Sequence, residues 1–133
     1  MKDKPEEKDK LEEKDKLEEN EETSNCLFCK IGSGKISTSF VHEDKNCFAI
    51  RDITPQAPNH LLVIPKKHYK NINLVDDKLL MGELFQQAAL IAAKENLENG
   101  FRLVVNTGAD GGQSVGHLHI HVLGGRSMLW PPG

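Results

Sequence analysis

The hydrophobic positions of this chain change period along its length, and each change marks an element. From His117 to Leu123 imidazole and aliphatic side chains alternate, the period-two pattern of a half-buried strand. The pattern predicts Leu118, Ile120 and Val122 on a core face and His117, His119 and His121 on the opposite one. Leu61, Leu62, Val63 and Ile64 form a continuous apolar run, as expected of a strand covered on both faces. Strands are expected near Phe40–Glu43, Cys47–Asp52, His60–Ile64 and Phe101–Asn106, with a short helix near Cys26–Ile31 ended by Gly32. Leu80, Leu84, Phe85, Ala88, Ile91 and Ala92 recur at helical spacing. They predict a long helix over about Asp77–Glu98, with Asp76 as N-cap and Gly100 as its stop. A meander of strands with segregated helices gives an α+β fold: one antiparallel sheet of about five strands, one long helix and one short one.

The first 24 residues stand outside this pattern. Asp3 to Lys8, Asp9 to Lys14 and Asp15 to Asn20 are three copies of one hexad, rich in Glu and Lys. Leu11 and Leu17 sit six residues apart, so on a helix they point about 120° away from each other and form no seam. Residues 1–24 therefore read as a solvated tail, disordered or a frayed helix, and the folded domain is expected over residues 25–133.

Charge sharpens that division. The net charge of −3 is uneven: residues 1–24 carry six lysines against eleven carboxylates, a net −5. Eleven cations against nine anions remain for the body, +2, which suits an anionic nucleotide but falls well short of a nucleic-acid-binding surface. The longest wholly apolar run, Ala88 to Ala93, is six residues, so neither a signal peptide nor a membrane span is expected. Three cysteines without a secretory signal imply reduced thiols and a cytoplasmic placement, with the nucleus also open.

The histidine alternation is also chemistry. Same-face neighbours on a strand stand roughly 6.5–7 Å apart, so His117 and His121 would lie about 13–14 Å apart at the backbone. One metal could not take all three without a bend, and the geometry favours a working nucleophile flanked by helpers. A loop of four glycines, Gly108 to Gly116 with Ala109, Asp110, Gln113, Ser114 and Val115 between them, feeds directly into the row. No Gly-Lys-Ser/Thr follows, so it is not a Walker loop. Beside a histidine strand it suggests phosphate chemistry, with Ser114 as a hydroxyl donor. Cys26-Leu27-Phe28-Cys29 has metal-ligand spacing but needs two further ligands; two packed thiols beside Phe28 are the alternative. Cys47 reads as a buried strand residue.

These residues carry a resemblance. His117-x-His119-x-His121 followed by two apolar residues is the histidine-triad signature. Gly111 to Val115, Val122 to Arg126 and the terminal Trp130-Pro131-Pro132-Gly133 resemble the Hint branch of that superfamily, as do Asp52 to Pro58 and His60 to His68. The likeness covers about residues 26–133. It implies a homodimeric HIT-like fold and a hydrolase of the adenosine 5′-monophosphoramidase type. Such an enzyme cleaves the P–N bond of adenosine 5′-phosphoramidates and of aminoacyl-adenylate-like adducts through a nucleotidyl-histidine.

Carried over residue by residue, the resemblance makes His119 the nucleophile, with a main-chain carbonyl holding its far nitrogen. His121 and His60 become phosphate-binding and hydrogen-bonding partners, and Ser114 the hydroxyl that passes a proton to the leaving amine. Asn106 and Gln113 would bind phosphate or leaving-group atoms, and Asp52 the ribose diol of a purine nucleotide. Phe28, Ile31, Ile50 and Ile53 would form the base slot. Trp130 would belong to a tail that packs near the partner subunit's site. No cofactor is needed for the chemistry, but related proteins suggest a structural zinc on Cys26, Cys29, His68 and His117, with His42 as competing ligand. Gly116 departs from the pattern, since relatives commonly carry a larger residue there. A dinucleoside polyphosphate hydrolase would share the nucleophile and favour P–O cleavage; the Gln113-Ser114 pair and the terminal Trp-Pro-Pro-Gly argue against it. A zinc-stabilised regulatory protein that only binds nucleotide is the other alternative.

Overall fold

The apolar run that predicts a doubly covered strand is the centre of the molecule. In the computed structural model, which describes residues 23–133, Asn59–Pro65 forms a strand whose residues from His60 onward are all buried. In chain order the elements are α1 (Leu27–Gly32), β1 (His42–Glu43), β2 (Cys47–Arg51), β3 (Asn59–Pro65), a 3-10 turn (Ile72–Leu74), α2 (Lys78–Lys94), β4 (Phe101–Val104) and β5 (Ile120–Gly124). The hexad repeat lies outside the described residues. No helix among those described is long and apolar enough to cross a membrane.

All four ladders are antiparallel and the strand order is β1-β2-β3-β5-β4. The sheet is therefore not the simple meander expected. The last strand in sequence inserts between β3 and β4, which brings the histidine segment beside the strand that carries His60. The pleat then sorts the side chains. Ala49, Leu61, Val63, Leu118, Ile120 and Val122 form one core with Leu80, Leu84, Ala88, Ile91 and Ala92 of α2. Phe48, Ile50, Leu62 and Ile64 point the other way and pack on Phe28 and Ile31 of α1. A Cβ at Gly32 would stand 2.8 Å from Phe48 Cε1, so only glycine lets α1 settle this close.

Several sequence-based boundaries move. The histidine strand is shorter than predicted: His117 to His119 precede the ladder, and Leu118 N–H bonds to the Tyr69 carbonyl at 2.7 Å. α1 covers the histidine face of the sheet; His117 is fully buried, His119 nearly so and His121 half-buried. The N-cap of α2 is Asp77 rather than Asp76, its carboxylate accepting from Leu80 N–H at 3.0 Å. That helix stops at Lys94, short of Glu98. Asn96 takes a left-handed φ of 59°, and the Asn96 and Leu97 N–H groups turn back onto the Ala93 and Ala92 carbonyls. This is a Schellman closure that buries Leu97. Phe85 lies beside the apolar stripe rather than in it and is partly exposed. β1 and β4 are also shorter than expected, beginning at His42 and ending at Val104 respectively.

The cap assignment is testable. Asp77→Ala should cost about 1 kcal/mol in urea unfolding and Asp76→Ala less than about half of that. Equal losses for the two variants would contradict the assignment.

Candidate active site

The neighbouring strands β3 and β5 present their histidines on the α1 face, where Leu62 pairs with His121 and His60 with Leu123. Three hydrogen bonds and one ion-pair contact then fix the imidazoles. His119 Nδ1 lies 2.7 Å from the His117 carbonyl, which can only accept, so Nδ1 carries the proton and Nε2 keeps its lone pair. The Gln56 N–H donates to His60 Nδ1 at 3.0 Å, so the proton of a neutral His60 sits on Nε2. That nitrogen is 2.8 Å from His121 Nδ1 and 3.4 Å from Asp52 Oδ2. His121 must accept at Nδ1, which leaves Nε2–H as its outward donor. The His119 and His121 rings are edge-on at 4.9 Å between centroids. One bare nitrogen and one N–H donor thus stand side by side.

Around this pair the expected nucleotide-binding residues are disposed unequally. Asp52 opens a turn, its Oδ1 accepting from Thr54 N–H at 2.9 Å and Thr54 Oγ1–H at 3.1 Å, while Oδ2 faces His60. Phe28 packs edge-on against His119 at 5.2 Å, and Ile31 and Ile50 are buried with it. Ile53 projects into solvent, 94% exposed. Ser114 is exposed on the glycine loop and Asn106 half-buried at its entry. The Gln113 amide is committed to the loop itself, donating to the Lys70 and Val115 carbonyls at 2.7 and 3.0 Å and accepting from Gly108 N–H at 3.1 Å. A Cβ at Gly111 would collide with the Thr107 carbonyl, so this turn closes only around glycine. Trp130 is exposed on a tail tied to β4, where Arg102 Nη2 donates to the Leu129 carbonyl at 2.9 Å.

His117 faces a second cluster. Its Nδ1 lies 3.2 Å from Cys26 Sγ, 3.5 Å from Cys29 Sγ and 3.2 Å from His68 Nδ1, and His68 Nδ1 is 3.3 Å from Cys29 Sγ. A tetrahedral zinc with two thiolates and two imidazoles spaces its donor atoms roughly 3.3–3.8 Å apart, which these separations approach. His117 Nε2–H donates to the Pro65 carbonyl at 2.8 Å, so the bare nitrogen points at the cysteines, the second bond a ligating histidine normally makes. The Cys26 thiol is drawn down to about 3 by its hydrogen bond with the Cys29 side chain, with burial opposing and His117 assisting. Cys26, Cys29, His68 and His117 therefore fit a zinc ion. His42 stands elsewhere, paired with Asp44 Oδ2 at 2.8 Å, because the β1–β2 turn holds it. Cys47 is buried, as expected, and burial pushes its thiol up to about 12.

Residues 33–128 match the HIT domain family. The chain belongs to the HIT family. It is 48% identical over 113 residues to an uncharacterized HIT-like protein of Synechococcus elongatus, covering 84% of this chain and 99% of that one. Among solved structures it is similar to a HIT family hydrolase from Legionella pneumophila, with a TM-score of 0.79 and 54% identity over 82% of this chain and all of the other. It is also similar to a hypothetical histidine triad nucleotide-binding protein from Sulfolobus tokodaii. There the TM-score is 0.67 and the identity 36%, over 74% of this chain and 68% of that one.

Two contributors to this HIT site have no side-chain signal in the sequence. The Gln56 N–H and the Pro65 carbonyl act through the main chain, and only the folded turn places them. Gly116 is one wall of a cleft, and a Cβ there would meet nothing nearer than Lys70 Cγ at 4.0 Å.

Burial keeps the imidazoles of the HIT site neutral. His119 is lowered from 6.5 chiefly by desolvation, against the stabilising His117 carbonyl. His121 is lowered to about 4 by desolvation, then by repulsion from His119 and His60, with Asp52 opposing. His60 is lowered by desolvation, again opposed by Asp52. The unfolded chain thus binds more protons than the folded one between these values and 6.5, so stability rises with pH through that window and is lost on acidification. In an NMR titration of the imidazole carbons, His121 should titrate near 4 and His60 and His119 below 6.5. A His121 midpoint above 6.5 would break the chain of neutral rings.

Proposed function

We propose that the protein is a nucleoside phosphoramidase that hydrolyses the P–N bond of purine nucleoside 5′-phosphoramidates, aminoacyl-adenylate-like adducts included. The observation that carries this reading is the hydrogen bond from His119 Nδ1 to the His117 carbonyl, which leaves Nε2 bare in a ring held neutral. Nε2 attacks the α-phosphorus; the bond from phosphorus to histidine forms as the bond to the amine breaks. An amide anion leaves poorly, so the departing nitrogen takes a proton, relayed by the Ser114 hydroxyl. Water then attacks phosphorus, loses a proton and frees His119, giving the nucleoside monophosphate and the amine.

His121 Nε2–H, aligned by the Gln56, His60, His121 chain, stabilises charge developing on the phosphoryl oxygens. Asp52 binds the ribose diol through its carboxylate, and Phe28, Ile31, Ile50 and Ile53 receive the base. Asn106 contacts phosphate or leaving group, and Gln113 acts by bracing the loop that carries Ser114. The name of the Legionella relative, a HIT family hydrolase, supports hydrolysis in general, and that of the Sulfolobus relative supports nucleotide binding. Zinc on Cys26, Cys29, His68 and His117 would supply structural cross-linking rather than chemistry. Thiols that must stay reduced for that role suit a cytoplasmic protein.

His119→Ala should lower kcat on an adenosine phosphoramidate by roughly three orders of magnitude or more, with adenosine monophosphate affinity kept within about threefold. A variant retaining a tenth of kcat would remove His119 from the nucleophile role. Faster turnover of a diadenosine polyphosphate than of the phosphoramidate would move the reading to P–O cleavage.

The homodimer belongs to the same proposal. β4 is an edge strand, and Phe101 on it, with Leu79 and Leu90 on α2, leaves apolar surface exposed. Joining two copies there would place Trp130, 83% exposed in the single chain, near the partner's leaving group. Sedimentation at micromolar concentration should report a dimer, and Trp130→Ala should change the preference between bulky and simple amines more than adenosine binding. A monomer in that experiment would exclude a shared site.

A further inference from the structure

The four residues that fit a zinc ion are not equally enclosed. His117 is fully buried, its ring edge-on to Phe28 at 5.8 Å and its Nε2–H on the Pro65 carbonyl at 2.8 Å. Cys29 lies within α1. Cys26 and His68 form the other side: both are half-buried, and both line a cleft of about 300 Å³ whose remaining walls are Asn25, Lys70 and Gly116. Cys26 precedes α1 and His68 follows β3, so either side chain can shift with the sheet and the body of the helix intact.

Gly116 keeps that side open. It is not among the glycines of positive φ, and a Cβ there would meet nothing nearer than Lys70 Cγ at 4.0 Å. Unlike Gly111, it is required by neither conformation nor contact. A longer side chain at this position would extend toward Lys70, which lines the same cleft, and would fill the space between them. The width of the cleft is set by Gln113, whose Nε2 donates to the Lys70 and Val115 carbonyls at 2.7 and 3.0 Å and so ties together the two loops that flank it. The Lys70 ammonium makes the entrance favourable to small anions.

We propose that Cys26, Cys29, His68 and His117 form an exchangeable metal site, which passes zinc to and from small anionic thiol or aminocarboxylate ligands through the Gly116 cleft while the protein stays folded. The inference rests on the fit of these four residues to zinc and is independent of the phosphoramidase reading. A small ligand that enters between Gly116 and Lys70 reaches Cys26 and His68 first. Its donor atoms replace those two one at a time while Cys29 and His117, on the closed side, still hold. Neither unfolding nor a bare ion is needed. A structural site enclosed on every side, by contrast, gives up its metal only when the chain opens.

The test uses the full chain loaded with zinc and mixed with a small anionic chromogenic chelator, pyridylazoresorcinol, while amide exchange of β3 is followed in the same buffer. Transfer should outrun the opening of the β3 amides and rise in proportion to chelator concentration. Gly116→Leu should bind about one zinc per chain, as the wild type does, and transfer it at roughly a tenth of the rate or less. A second measurement needs no variant: the same chelator tethered by a short link to a large dextran should also act roughly tenfold more slowly on the wild type. A chain that binds no zinc, or a transfer rate that ignores chelator concentration and equals the opening of β3, would overturn the proposal. So would equal rates for wild type and Gly116→Leu, or for free and tethered chelator. Turnover of a phosphoramidate is read at no stage, so failure here and failure of that reading are separate results.

Discussion

The hydrogen bond from His119 to the carbonyl two residues earlier is the constraint on which the site depends. It converts a symmetric, ambiguous imidazole into a ring with one defined lone pair. Such a bond needs the main chain at His117 out of the ladder, since a carbonyl engaged across the sheet would point elsewhere. The observed ladder begins only at Ile120. The short strand is therefore part of the chemistry, and the buried position of the ring makes neutrality cheap to maintain at ordinary pH.

A second constraint is that the sheet is clothed on both sides. α2 covers one face with a stripe from Leu80 to Ala92, and α1 covers the other with little more than Phe28 and Ile31. The smaller helix cannot bury much surface by itself. Its hold comes from the Gly32 contact with Phe48 and from the cysteines that meet His68 and His117. A site wall built from so short a helix is specified by cross-links as much as by hydrophobic area.

Much of this was legible in the amino-acid order. The alternation at His117 to Leu123 placed the imidazoles opposite Leu118, Ile120 and Val122, and the Cys-x-x-Cys spacing with the family likeness drew His68 and His117 to Cys26 and Cys29. The strand count and both helices were readable as well. What escaped was tertiary. Period two distinguishes the two faces of a strand but not what covers them, so the pattern alone does not show that the histidine face lies beneath α1. The placement of β5 inside the sheet is a matter of connection, not pattern. Main-chain partners such as the Gln56 N–H and the Pro65 carbonyl carry no residue identity at all. Gln113 shows the converse, a side chain whose chemistry was evident and whose partners turned out to be its own loop.

The central position of β5 bears on how the molecule comes into being. Both neighbours of that strand, β3 and β4, precede it in the chain, and its partners in β3 lie about sixty residues upstream. During synthesis everything up to the glycine loop emerges before the piece that closes the sheet, leaving two unpaired edges facing each other across a gap. Pairings so distant in sequence are slow to form, and an open gap between apolar strands invites foreign strands. The same segment carries His119 and His121, so activity appears only when the gap is filled. Chains cut short before His119 would lack the keystone of the sheet and the reactive groups together.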